Sequence, residues 1–389
     1  MKKARNYFEI NSINEYIDCV TKNNLGNCIS RGENSRFDHI TASAFRFSSP
    51  IKFQDMTDDF YNEIGNTITD MQRENFSAFA QHHGIPTNLV DFSRSPLVSL
   101  FFACYSSNHS NDEAGYVYFI NNSRLIDITE MLKYPNNQAN IFQNLIYFHP
   151  SVHPIILQLY KYEHTHISEI GNTVIEWIKK LKSNEDVKKK YKCVFPIINE
   201  FEKTIRENPN YSLHDYSGKI LNAIIKANHE DDGNLTDFIL WDEYIEEYNS
   251  LIQKINESTQ YNYFNDILLM LIVIRLVLGE MFDFSFTKKF DDFKLPFYFT
   301  YSPPNVLSRI ENQSSLFVYQ LFYDDYIADP HIDRIEHRIT QNIVPDVIIK
   351  INNKDQILKN LDSLGINLKF IYKDHDNIAK YIKTKVLDV

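Results

Sequence analysis

The sequence predicts an α+β fold: a mixed sheet-and-helix domain built from both ends of the chain and interrupted by a large α-helical insertion. Three observations predict it. Short strand-like and helix-like pieces alternate over residues 1–125, residues 126–295 carry apolar residues at a helical period, and the mixed texture returns over 296–389.

Taken in order, Leu25 to Gly32 alternates and is bounded by turns, which predicts a short strand ending at Gly32. Gln72 to Gly84 has helical spacing, and Gly84 followed by Ile85-Pro86 ends it. Asn88 to Phe92 predicts a strand. Ser95-Pro96 then opens a helix to about Tyr105, with serine as N-cap and proline in the first turn. Ala114 to Ile120 alternates as a strand does. In the helical region the turn signals are Asn208-Pro209-Asn210 and Asp231-Asp232-Gly233, and Lys188-Lys189-Lys190-Tyr191-Lys192 reads as a solvated helix end. Its aromatic residues (Tyr160, Tyr162, Trp177, Phe195, Phe201, Phe238, Trp241, Tyr244 and Tyr248) recur at helical spacing and read as core. Beyond it, Ser302-Pro303 caps a short helix, Leu316 to Phe322 and Asp346 to Ile351 are strands, and Asn353 to Leu364 is a helix ended by Gly365. Ile366 to Tyr372 reads as a last strand and Asp376 to Lys385 as a closing helix.

At 389 residues the chain has room for two or three domains at roughly 150 residues each. An apolar share of 43% and only 10 glycines exclude a disordered or collagen-like chain. A formal charge of -11 disfavours non-specific nucleic-acid binding while leaving room for a local basic groove. The four cysteines show no CxxC spacing and read as reduced thiols of a cytoplasmic protein. The start MKKARNYFEINS has no apolar stretch behind it, so it does not read as a signal peptide. Ile267 to Leu278 is about half of what a bilayer requires and contains Arg275, so it reads as a buried helix and no membrane is expected. There is no P-loop, GxGxxG, GxSxG or HExxH. His149 and His153 are separated by Pro150, and His164 and His166 would diverge on a helix, so no metal is expected.

Chemistry-bearing residues are densest from Gln81 to Leu97, where two histidines, an acid, two hydroxyls and an arginine follow a helix–loop–strand–helix path. Polar groups at such junctions stand where backbone amides are free to bind anions. Leu97 to Ala103 is apolar nearly all round, so the helix carrying Asp91, Ser93 and Arg94 near its N-terminal end is buried and holds them rigidly. The structural alternative is that Asp91 and Ser93 satisfy local backbone amides, and that Arg31 pairs with a carboxylate.

Ser30-Arg31-Gly32, Ile40 to Arg46, and the run Gln81-His82-His83-Gly84-Ile85-Pro86-Thr87-Asn88-Leu89-Val90-Asp91-Phe92-Ser93 leading to Ser95-Pro96-Leu97 resemble the successive motifs of the FRG domain family. Arg309-Ile310-Glu311-Asn312-Gln313 and the segment from Asp346 onward are similar to its C-terminal elements. Ser30 stands where the family has Phe, Asn88 where it has Arg, Phe92 for Trp and Ser93 for Thr. The change at 88 removes a bidentate anion donor, which leaves Arg94 to supply the charge. The resemblance implies an FRG domain over 1–125 and 296–389, divided by the insertion at 126–295. Family context also implies a toxin-like or defence role against phage.

A second, motif-order resemblance is to ADP-ribosyltransferases, and it implies NAD as substrate. On that likeness Arg31 clamps the pyrophosphate, Ser93 positions the ribose or nicotinamide, Glu311 offsets charge at the anomeric carbon, and His82 is a candidate base. Gln313 fits the FRG motif better but carries no charge and cannot act as a base. The expected catalytic set is His82, Asp91, Glu311 and Gln313, and the expected ligand-binding set is Arg31, Gly32, Arg46, Gln81, Thr87, Ser93, Arg94 and Arg309. A protein or nucleic-acid target is the expected acceptor. The competing reading is a non-catalytic module recognising a nucleotide or a partner.

Overall fold

The structure, a computed structural model, describes residues 6–36, 40–105, 114–133, 140–147, 149–182, 185–207, 214–228, 264–283, 292–304, 312–324, 335 and 337–387. Its strands are β1 (Asn6–Ile10), β2 (Cys28–Glu33), β3 (Leu89–Ser93), β4 (Gly115–Asn121), β5 (Leu125–Asp127), β6 (Asp292–Phe293), β7 (Tyr298–Tyr301), β8 (Ser315–Tyr319), β9 (Phe322–Asp324), β10 (Arg338–Gln341) and β11 (Val347–Ile351). The α-helices are α1 (Ile13–Lys22), α2 (Phe53–Ile64), α3 (Asp70–Glu74), α4 (Phe76–His82), α5 (Pro96–Cys104), α6 (Ile141–Ile146), α7 (His153–Leu181), α8 (Glu185–Lys190), α9 (Val194–Glu207), α10 (His214–Asn228), α11 (Phe264–Asp283), α12 (Lys354–Ser363), α13 (Leu368–Tyr372) and α14 (His375–Leu387). The fold is α+β.

The chain divides into two units. The first comprises Met1–Asn137, Phe297–Gln320 and Asn342–Val389, and the second Gln138–Pro296 and Leu321–Gln341. The first thus reaches past residue 125, because β5 pairs with β7 in its sheet. The stretch from Leu321 to Gln341 groups with the second unit, where β9 and β10 pair.

In the first unit eight strands run in the order β1-β11-β4-β2-β3-β8-β7-β5. They form two four-stranded ribbons. β2 pairs with β4 along its whole length, as β3 does with β8. Between β2 and β3 the ladder is the single pair Ser30↔Ser93, after which the strands part. A seam therefore runs up the middle of the sheet. On one side pack α1, α5, α12 and α13, through Tyr16, Phe101, Ile357, Leu361 and Ile371 against Val117, Phe119 and Ile349. A second cluster gathers Ile29, Val90, Phe92, Tyr118, Tyr298 and Val318.

Helix α5 is apolar nearly all round, opens on Pro96 and is buried, as the sequence predicts, but the Ser95 side chain expected to cap it makes no capping hydrogen bond. Its backbone reaches the sheet at two glycines. A Cβ at Gly32 would collide with the Ser99 carbonyl oxygen, and one at Gly115 with that of Ala103. Alternation puts Ser30 and Gly32 on this face of β2 and Arg31 and Glu33 on the other. Ser30, where the family triplet has Phe, instead shares a 2.8 Å Oγ–Oγ hydrogen bond with Ser99.

Several elements differ from expectation. The helix expected over Gln72 to Gly84 is two helices, broken at Asn75, whose side chain bonds the Met71 carbonyl and accepts from Tyr301. Leu25–Asn27 is a 3-10 turn, so the strand begins at Cys28. The last strand, expected over Ile366 to Tyr372, is the helix α13, because Asn367 caps it by accepting from Phe370 N while Leu368 and Ile371 bury one helical face. The strand expected over Leu316 to Phe322 ends at Tyr319, and Phe322 starts β9. The helix expected after Ser302-Pro303 falls on 305–311, outside the described residues.

The second unit holds α6 to α11 and the three-stranded sheet β6-β10-β9. Trp177, Phe201, Tyr162 and Phe195 are buried, as a core set should be. Phe238, Trp241, Tyr244 and Tyr248, and both expected turns, lie outside the described residues. Lys188 and Lys189 pair with Glu185 and Asp186 one turn back, which is a solvated helix end. Among the described residues no helix is long and apolar enough to cross a membrane.

Candidate functional site

Where β2 and β3 part, a cavity of about 680 Å³ opens within the first unit. Ser30, Arg31, Gly32 and Glu33 all line it, so the cavity follows the edge of β2 where that strand leaves β3. A smaller cavity of about 260 Å³ lies alongside, lined by Thr41, Ser43, Arg46, Gly84 and others. Both share Arg31, Gln81 and Asp91. These three side chains stand where the two spaces meet.

Arg31 spans the seam. Its Nη1 donates to the Asp91 carbonyl oxygen at 2.8 Å and lies 3.9 Å from the Asp91 carboxylate, while Nε and Nη2 both reach Glu33 Oε1 at 2.6 Å. Gln81 is held from both ends. Its Nε2 donates to Asp91 Oδ2 at 3.0 Å, and its Oε1 accepts from the Thr87 hydroxyl. Thr87 Oγ1 in turn accepts from Leu89 N at 3.3 Å. This chain of bonds fixes Gln81 by the loop that follows α4. Asp91 itself is 64% exposed. His82 ends α4 and lines the larger cavity.

Ser93 lines the same cavity, but its hydroxyl donates to the Gln313 carbonyl oxygen at 2.6 Å and accepts from Ser95 N at 2.9 Å. It ties the start of α5 to the segment before β8, the structural alternative for this residue. Gln313 lines the cavity beside Arg31, and its Nε2 donates to the Ile371 carbonyl. Arg46 lines the smaller cavity and donates from Nε to the Thr41 carbonyl. Arg94 lines neither of them and donates to Ser302 Oγ. Asn88 is 6% exposed and bonds the Gln320 backbone, so the position where the family has Arg does not line either cavity. Arg309 and Glu311 lie outside the described residues.

The structure adds residues that the sequence reading missed. Glu33 is one, and its signal is simple: two positions beyond Arg31 on a strand it shares the same face. The others form an aromatic end, Phe102, Tyr105 and Tyr372. Phe102 and Tyr105 are one turn apart on and just after α5, and Phe102 meets Tyr372 edge-on at 6.3 Å. Tyr372 escapes notice because its segment reads as a strand. Arg31 is the one Lys or Arg lining the larger cavity among the described residues. Neither Cys28 nor Cys104 lines either cavity, and burial pushes the Cys104 thiol up to about 12 and that of Cys28 up to about 11, which disfavours thiol chemistry at both. Among the described residues no group of three His, Cys, Asp or Glu is placed to hold a metal.

The FRG domain family model matches residues 26–112, and the chain carries an FRG domain there. That span holds β2, β3 and α5, the strands of the seam and the helix behind them. Comparison with curated proteins and with solved structures returns no match.

Proposed function

We propose that this FRG-domain protein binds a nucleotide bearing a pyrophosphate, NAD foremost, in the seam of its sheet, and cleaves the nicotinamide–ribose bond as an ADP-ribosyltransferase or NAD glycohydrolase. The observation that carries the reading is Arg31, a partly buried guanidinium at the meeting of two cavities. A dinucleotide has the matching form, two lobes joined by an anionic bridge, and a guanidinium is the side chain best suited to a phosphate. Phe102, Tyr105 and Tyr372 offer one lobe an aromatic wall on which a base stacks. The volume suits a ligand of this size.

Bond cleavage passes through an oxocarbenium-like state, which a nearby carboxylate stabilises. Asp91 is that carboxylate in this reading: Gln81 orients one of its oxygens, and the group faces the meeting point of the cavities. His82 is the candidate base. The setting we assign, a toxin-like effector of bacterial defence against phage that modifies a protein or nucleic acid, rests on the family resemblance.

One observation favours the competing reading of a non-catalytic recognition module. The Ser93 hydroxyl is committed to Gln313 and Ser95, and Gln313 carries no charge. Incubation with NAD separates the two. An enzyme releases nicotinamide, measured chromatographically, and Arg31→Ala abolishes the release. Binding of NAD without release establishes the module instead, and no binding at all overturns the reading.

A further inference from the structure

We infer that Glu33 is a tethered competitor for the anion site, so that the cleft selects ligands with two or more closely spaced negative charges. The inference rests on the reading of Arg31 as the anion-binding group. A guanidinium binds phosphate best through the parallel N–H groups of one edge. On Arg31 the Nε–Nη2 edge is already taken, since both nitrogens lie 2.6 Å from Glu33 Oε1. Nη1 is held by the Asp91 carbonyl on the other side of the seam, which fixes the plane of the group.

The pair is shielded enough to matter, with side chains 16% and 20% exposed. It is also intramolecular. Glu33 sits two residues along the same strand and on the same face, so its carboxylate is present at high effective concentration. A ligand with one negative charge exchanges one carboxylate-like contact for another and gains little. A pyrophosphate brings more charge and more acceptor oxygens, so it displaces Glu33 where chloride or a carboxylate does not. Asp91 on the opposite strand adds to the same discrimination, because its negative charge also penalises weak anions.

Calorimetry with inorganic pyrophosphate and with dimethyl phosphate, a permanent monoanion, tests this at fixed ionic strength. Glu33→Gln keeps the size and one acceptor but removes the charge. It should bind pyrophosphate about tenfold more tightly than the wild type and should acquire measurable affinity for dimethyl phosphate. Glu33→Asp retains the charge one methylene further back and should fall between them; its melting curve and that of Glu33→Gln confirm folded protein. If Glu33→Gln binds pyrophosphate no more tightly while Arg31→Ala loses it, Glu33 is not a competitor and the anion site stands. If Arg31→Ala binds as the wild type does, the anion site itself fails, and this inference with it.

Discussion

The two faces of β2 do different work. On one face Ser30 and Gly32 press against the backbone of α5, with a buried hydroxyl pair and no room for a methyl group. On the other, Arg31 and Glu33 face a cavity and each other. Four consecutive residues therefore alternate between packing and cavity-facing charge. The packed face fixes where the strand lies, and so fixes the guanidinium across the seam. Substitutions on the first face should be read in stability, and those on the second in binding.

The largest expected effect lies on the packed face. Gly32→Ala places a Cβ against the Ser99 carbonyl and within 2.7 Å of Ala103 N, which are helix backbone atoms and cannot swing aside. We expect a loss of about 3 kcal/mol or more in urea unfolding. Gly26→Ala is the control, because nothing lies within 4 Å of its Cβ position, and it should be nearly neutral. Equal effects of the two would break the comparison.

Ser93→Ala sharpens it from the facing strand. This hydroxyl lines the cavity yet makes two hydrogen bonds to backbone, to Gln313 and from Ser95. Removal leaves the Gln313 carbonyl and the Ser95 amide without it, so stability should fall by roughly 1–2 kcal/mol. Pyrophosphate affinity should stay within twofold of the wild type, on the order of 0.4 kcal/mol. A loss of affinity without a loss of stability would move Ser93 from the frame of the site into the site.

How much of this is legible in the sequence depends on whether the cause is local. β3 and α5 are readable to within a residue or so, since Pro96 and an apolar run act on their own neighbourhood, although the Ser95 side chain makes no capping bond. The convergence of Arg31, Gln81, His82 and Asp91, with Gln313 from far along the chain, follows from motif order. The break at Asn75 is not readable, because it depends on Tyr301, 226 positions away. Nor is α13, where Ile366 to Tyr372 alternates like a strand and only packing on the core settles its helical face. The seam is the least legible feature. Nothing in the residues of β2 or β3 states that their pairing stops after Ser30↔Ser93.

The smallest expected effect tests the aromatic end of the cavity, where α14 contributes Asn377 and Lys380 donates to Tyr105. Asp362 on α12 helps hold that helix. Burial would push its carboxyl up, but hydrogen bonds from Tyr381 and Asn367 and the nearby Lys385 ammonium outweigh this and hold it below the usual carboxylate range. A carboxyl with a lowered folded pKa stabilises the protein fully above its unfolded value, near 3.9, and this contribution fades as pH falls through the folded value. Because the group is partly exposed, solvent screening keeps the effect small, about 1–2 °C in melting temperature. Wild type should exceed Asp362→Asn by that margin at pH 6 and lose the advantage as the pH falls below 4, measured by thermal unfolding across the series. A margin that survives to low pH would mean that the Tyr381 and Asn367 bonds hold α14 without any charge on Asp362, so that this end of the cavity is closed by packing alone.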